Sequence, residues 1–154
     1  MAYEIREENV AARPLAAVHA SVRVGDVATA WRPALDEVWA FLRRHDGLRT
    51  DGHNIFVYHH PVQPGAPMEI DFGVEVSRPF TGEGEIVSSH TPAGRVASTV
   101  HLGSPAELGK ANAAIEAWCT ANQRPHAGVS WEIYGDPGDD PNVHEVKVCY
   151  LLGS

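Results

Sequence analysis

One carboxylate set among aromatic side chains gives this chain its clearest chemistry: Glu132, within Trp131-Glu132-Ile133-Tyr134. Side chains alternate along a strand, so Glu132 and Tyr134 share one face while Trp131 and Ile133 share the other. A carboxylate beside ring faces loses hydration unless a positive group arrives, which makes it a partner for cations. The same desolvation raises its pKa and suits it to general acid or base work near neutrality, with Tyr58 or Tyr134 as a donor. Flat ring walls demand no single ligand shape, so broad specificity is expected.

The stretch has an echo. Ile55-Phe56-Val57-Tyr58-His59-His60-Pro61 lines up with Trp131-Glu132-Ile133-Tyr134-Gly135-Asp136-Pro137, with Tyr and Pro three apart in both. Where the copies agree they predict a common frame. Where they differ, Phe56 against Glu132, only one half carries a charge, which predicts an asymmetric pocket at a pseudo-twofold axis.

The surrounding elements repeat in the same order. The first half reads as a strand over Pro14–Val22, then a helix with Asp26 as N-cap and an apolar stripe of Val27, Trp31, Leu35, Val38 and Leu42. Strands follow over Ile55–His60 and Glu69–Val76, split by the turn Pro61-Val62-Gln63-Pro64-Gly65. After a connector over Ser77–Gly84, the second half begins with a strand over Gly94–His101, in which Val100-His101 matches Val18-His19. Ser104-Pro105-Ala106-Glu107 reads as a capping box, opening a helix with the stripe Leu108, Ala111, Ile115 and Trp118, Trp118 being placed like Trp39. Strands over Val129–Tyr134 and Val143–Tyr150, split by a turn over Asp136–Asp140, close the repeat, and short strands over Glu4–Val10 and Glu85–His90 precede the halves. The fold class is α+β: a duplicated βαββ, an antiparallel sheet with two main helices on one face and a central ligand cleft.

Each helix lays its stripe on one sheet face. Trp131 and Ile133, with Ile55 and Val57, are read as its partners, so Phe56, Tyr58, His60, Glu132 and Tyr134 are expected to point away from the helices and line a cleft between the halves.

Composition removes several alternatives. The chain has 154 residues, 44% hydrophobic and 21% charged, enough for one buried core. No stretch approaches the ~18–20 apolar residues of a membrane span, and Met1–Glu8 is charged with no signal-peptide core. Cys119 and Cys149 are too few for a disulfide framework and are read as reduced thiols of a cytoplasmic protein. A formal charge of −8 disfavours direct nucleic-acid binding and mildly favours cationic partners.

The order His101-x-Gly103, a capped helix and then Trp131-Glu132-Ile133-Tyr134-Gly135-Asp136-Pro137 resembles the GyrI-like family, whose fold also forms the effector-binding domain of multidrug-responsive bacterial transcription regulators. The resemblance covers nearly the whole chain and is most specific over residues 92–137. It implies a single domain over 1–154, with halves of about 1–78 and 84–152, and a central groove binding lipophilic or cationic compounds around one glutamate, matched here by Glu132. Pro105 stands where the family often has tyrosine, and no helix-turn-helix segment is read, so no direct nucleic-acid partner is expected. The ligand-binding candidates are Glu132, Tyr134, Phe56, Tyr58, Trp131, His19 and His101.

Other readings stay beside this one. Some standalone proteins resembling the family hydrolyse reactive cyclopropane-bearing compounds, and Glu132 would then be the catalytic acid or base. No cofactor is called for. His53, His59 and His60 lie close in sequence, but strand alternation sends His59 and His60 to opposite faces, so no metal site is read. The family's founding activity is binding to a topoisomerase, and no residue here specifically supports a protein partner.

Overall fold

Among the described residues, strong β-formers alternating with polar residues make eight strands, and the two apolar stripes make two α-helices. The computed structural model describes residues 3–153 except Val24, Pro64 and residues 138–143. Among them the order is β1 (Arg6–Val10), β2 (Pro14–Val22), α1 (Val27–Arg43), β3 (Arg49–His59), β4 (Met68–Val76), β5 (Ile86–His90), β6 (Gly94–Gly103), α2 (Leu108–Ala121), β7 (His126–Pro137) and β8 (His144–Leu152). The part of the expected 136–140 turn beyond Pro137, the expected strand start at Val143, and Pro64 in the first turn lie outside the described residues.

The strands form one antiparallel sheet in the order β1-β6-β8-β7-β3-β4-β2-β5. Its middle carries the duplication. Ile55 pairs with Ile133, Phe56 with Glu132, and Val57 with Trp131. Only on a twofold axis does a residue face its own counterpart, so the axis passes between Phe56 and Glu132. Outward from there, Phe72 pairs with Phe56 as Val148 does with Glu132, and Val18 pairs with Phe72 as Thr99 does with Val148. The counterpart of Val18 is therefore Thr99. The expected match of His19 with His101 is one residue out of register, which in a strand means opposite faces. The outermost strands are exchanged: β1, from the chain start, pairs with β6, and β5, from mid-chain, pairs with β2.

Helix α1 lies over β2 and β4, and α2 over β6 and β8. Leu35, Val38, Phe41 and Leu42 of α1 are buried with Val18, Ile70, Phe72 and Val74, and Phe56 joins them from β3. Leu108, Ala111, Ile115 and Cys119 of α2 are buried with Ala97, Val146, Val148 and Tyr150. Phe56 and the partly buried Tyr58 and Tyr134 thus belong to the helix-covered face. This reverses the predicted orientation, in which they pointed away from the helices.

The reason is the opposite face. There Ile55, Val57, Trp131 and Cys149 are buried with Leu15 of β2 and Val96 of β6, although four strands separate β2 from β6 in the sheet. The sheet folds over onto itself on that side and makes a core without a helix. Trp131 is 2% exposed there, so its burial gave no clue to the helices' side.

The second helix starts later than read. Pro105–Glu107 form a single 3-10 turn, and α2 begins at Leu108. The Ser104 hydroxyl accepts the Ala106 N–H at 3.2 Å, short of the reach to N3 that a capping box makes. Asp26 does stand at the N-cap of α1, where its carbonyl rather than its side chain takes the first helical N–H groups. Cys119 and Cys149 are free, buried on opposite faces of the sheet. Burial pushes the Cys149 thiol up to about 12.

Candidate functional site

Since α1 covers β2 and β4 and α2 covers β6 and β8, the two central strands, β3 and β7, lie between the helices as the floor of a trough. On that floor the alternation of β7 aims Glu132 and Tyr134 at the trough, and that of β3 aims Phe56 and Tyr58 there. The axis brings the two tyrosines to one point. Tyr58 donates its hydroxyl to Glu132 Oε1 at 2.7 Å, and Tyr134 donates to the same oxygen at 2.8 Å.

Glu132 is 7% exposed. Burial pushes its pKa above the ordinary carboxylate range, against the hydrogen bonds of Tyr58 and Tyr134 and the amide of Asn112, which favour the charged form. The same burial, reinforced by the carboxylate's charge, holds both tyrosines protonated far above their ordinary range. They are committed donors.

Two residues that sequence reasoning did not select complete the polar side. Asn112 of α2 donates Nδ2 to Leu108 O at 3.0 Å and accepts the Tyr150 hydroxyl on Oδ1 at 2.9 Å, so its amide is held in one orientation. Tyr150, of β8, is buried, its ring tilted against His60 and edge-on to His126, at centroid distances of 5.7 and 5.4 Å. His60 bonds Ser130 Oγ through Nε2 at 2.7 Å, and burial holds its pKa below the ordinary imidazole value. A polar residue at the edge of an apolar stripe was the available signal for Asn112. For Tyr150 it was a hydroxyl alternating with Val146 and Val148.

The apolar side is made of rings. Phe56 meets Phe72 edge-on at 5.0 Å, Tyr134 at 5.1 Å and Trp31 of α1 at 6.3 Å. A guanidinium, that of Arg32, lies 4.8 Å from the centroid of the Trp31 ring, so a cation already occupies one face of that ring.

The remaining candidates lie elsewhere. Trp131 is buried in the core of the opposite face. His19 is also on that face: its Nδ1 meets Asp71 Oδ1 at 2.7 Å and its Nε2 meets Glu69 Oε1 at 3.1 Å, which raises its pKa. His59 joins Asp71 from the other side at 3.1 Å. Among the described residues no hydrogen bond joins this cluster to Glu132, whose partners are Tyr58, Tyr134 and the Asn112 amide. His101 does share the helix-covered face, but its ring is tied between the Tyr3 hydroxyl and the Ser104 carbonyl, both at 2.8 Å, where it fixes the chain entering α2. Among the described residues no group of three or more His, Cys, Asp or Glu could hold a metal ion, and no helix is long and apolar enough to cross a membrane.

The fold recurs in solved structures. The C-terminal domain of EcmrR superposes with a TM-score of 0.81 at 17% identity, covering 100% of this chain and 99% of that one. SAV2435 bound to tetraphenylphosphonium gives 0.68 at 11% identity, covering 98% and 94%. A hydrolase from Listeria innocua gives 0.64 at 10% identity, covering 97% and 92%. Comparison with curated proteins gives no match. The family model of the GyrI-like small molecule binding domain matches residues 3–152, and the chain belongs to that family.

Proposed function

We propose that this domain binds lipophilic cations in the trough between α1 and α2, working in the cytoplasm, with Glu132 as the ionic partner. Phe56, Tyr58 and Tyr134 serve as ring walls. One observation carries the reading: a single buried carboxylate oxygen receives a tyrosine hydroxyl from each half of the chain, 2.7 and 2.8 Å away. Two donors hold the carboxylate in place before any ligand arrives, so little ordering remains to be done on binding. An arriving cation meets a charge that burial has stripped of water, and the interaction is stronger than at the surface. The rings add ~0.5–2 kcal/mol for each good cation–π contact. That SAV2435, similar in fold, is bound to tetraphenylphosphonium supports the choice of ligand class.

The test compares tetraphenylphosphonium with an uncharged tetraaryl analogue of the same size, titrated against wild type and Glu132→Gln at fixed ionic strength. The substitution should weaken the cation by about 1–3 kcal/mol and leave the neutral compound nearly unchanged. Equal affinities in all four combinations would return Glu132 to a structural role.

A second reading rests on the raised pKa of Glu132. A carboxyl group that holds its proton to higher pH can protonate a leaving group and take a proton from water, which fits hydrolysis of strained, cyclopropane-bearing compounds. Tyr58 or Tyr134 would then steady the developing negative charge on the substrate. Incubation with such a compound followed by mass spectrometry separates the readings: uptake of one water, abolished by Glu132→Gln, supports catalysis, and an unchanged bound ligand rejects it.

A further inference from the structure

Asparagine suits a helix interior poorly, because its amide competes for backbone hydrogen bonds. Asn112 nevertheless stands in the second turn of α2, half-buried between the core residues Leu108, Ala111 and Ile115. Its neighbours settle how the amide is used. The Leu108 carbonyl can only accept, and it takes a hydrogen of Nδ2 at 3.0 Å. Tyr150, which burial holds protonated, donates its hydroxyl to Oδ1 at 2.9 Å. An amide nitrogen carries two hydrogens, so one remains after Leu108. That one serves Glu132, the carboxylate beside the amide. A flipped amide would turn its oxygen on the Leu108 carbonyl and the carboxylate together, so Tyr150 locks the useful orientation.

Glu132 then has three donors from three elements: Tyr58 of β3, Tyr134 of β7 and Asn112 of α2. All three are neutral. The charged and titratable groups around them are engaged elsewhere. Arg32 of α1 sits against Trp31, His60 beyond β3 bonds Ser130 of β7, and Glu116 of α2 acts on His60 and on Tyr150 of β8. Among the described residues no cation of the chain acts on Glu132. Burial favours its neutral form and the donors favour its charged form, so each donor tips the balance. The two tyrosines are also walls of the trough. Asn112 brings an amide and no ring.

We propose that Asn112, locked by Tyr150, is a positioning residue that sets the pH range over which the trough takes cations, and with it the choice between charged and neutral ligands. The inference rests on the reading of Glu132 as an ionic partner. With the amide in place the carboxylate is held charged and ready for a cation. Without it Glu132 keeps its proton to higher pH, and the trough becomes a neutral, ring-lined site under conditions where the wild type still binds a cation. Asn112 acts through Glu132 and leaves the ring walls unchanged.

The test follows binding of tetraphenylphosphonium and of the uncharged tetraaryl analogue from about pH 5 to about pH 9 in wild type, Asn112→Leu, Tyr150→Phe and the double variant. Leucine keeps the size of the side chain and suits a helix, and the double variant removes both partners of the Asn112–Tyr150 bond, so no buried hydroxyl is stranded. Cation affinity in Asn112→Leu should begin to fall about one pH unit higher than in wild type, a loss of about tenfold on the acid limb, and return to the wild-type value in alkali. The double variant should show the same shift, Tyr150→Phe a smaller one, and the neutral compound no change at any pH. A loss that is uniform across pH, or no loss, would overturn the proposal, and Glu132 would remain the ionic partner if Glu132→Gln still weakens the cation. If Glu132→Gln leaves the cation unaffected, both proposals fall together.

Discussion

The two halves meet the trough with the same frame and opposite chemistry. On the first side the axis places Phe56, with Phe72, Val74 and Asn54 around it; on the second the same four positions hold Glu132, Val148, Tyr150 and Ser130. Asn54 turns toward α1, accepting the Trp39 indole N–H at 3.2 Å, whereas Ser130 turns toward His60. The tyrosines alone are kept on both sides, Tyr58 and Tyr134, and both point at the one carboxylate. Duplication therefore supplied twofold geometry, and the loss of symmetry at one pair of residues supplied a charge with two donors already converging on it. A symmetric pair at the axis would be either two rings or two carboxylates side by side, and neither makes a stable cation site.

The harshest test of that comparison restores symmetry in the wrong direction. Phe56→Glu places a second carboxylate directly across from Glu132, with the ring that packed on Phe72, Tyr134 and Trp31 removed. Removing a buried Phe costs about 3–5 kcal/mol, and an unpaired buried charge adds to it. Against a total stability of ~5–15 kcal/mol, the variant should be largely unfolded at neutral pH and recover partly in acid, where one carboxyl protonates. Circular dichroism melts across pH show this directly. A normal melt at neutral pH would mean the central pair is hydrated and the axis is no desolvated site.

A milder change asks whether the second half carries a cost the first does not. Burial raises the folded-state pKa of Glu132 above its unfolded value. Its contribution to stability is then fully present below the unfolded pKa, near ~4.3, and is lost as pH rises from there through the folded pKa. Glutamine has no such dependence and still offers Oε1 to both tyrosines. The melting temperature of Glu132→Gln should therefore gain on wild type as pH rises out of the acid range and level off once Glu132 has ionised. Parallel curves for the two proteins would show that the carboxylate is already as well solvated as in the unfolded chain.

How much of this was legible in the sequence depends on which symmetry is asked about. The echo of Tyr-x-x-Pro matched Phe56 with Glu132 as counterparts near a pseudo-twofold axis; that the two strands pair there, with Phe56 directly across from Glu132, is seen only in the fold. The echo did not say which side the helices take. Alternation divides a strand into two faces without labelling them, and both faces proved apolar: Trp131 packs in a core closed by the sheet's own curl. Val18 was matched with Val100, whereas its counterpart is Thr99; both are β-branched and serve either register, and the one-residue slip set His19 level with His101, which lies on the other face. Asn112 and Tyr150 were hidden because each sits in a run of core residues, and the hydrogen bond that distinguishes them is tertiary.

The finest comparison is between the tyrosines themselves. Tyr58 reaches Glu132 from the other half of the chain, and Tyr134 reaches it from two residues away on the same strand. If contact order along the chain governed their worth, Tyr58→Phe would be much the worse substitution. In the folded sheet, however, both rings are held by neighbouring strands, both donate to the same oxygen at nearly equal distance, and both hydroxyls are desolvated to a similar degree. Each Phe variant should lose about 1–2 kcal/mol of stability at neutral pH, as expected for a hydrogen bond to a carboxylate. The difference between the two should stay within ~0.5 kcal/mol, the usual error of additivity. The double variant should lose less than the sum, because once one donor is gone the carboxylate holds its proton to higher pH and needs the second donor less. Chemical denaturation of the three variants at one pH gives all three numbers. A gap of several kcal/mol between Tyr58→Phe and Tyr134→Phe would show that the axis at Phe56 and Glu132 is a symmetry of the backbone only, and that one half alone builds the site.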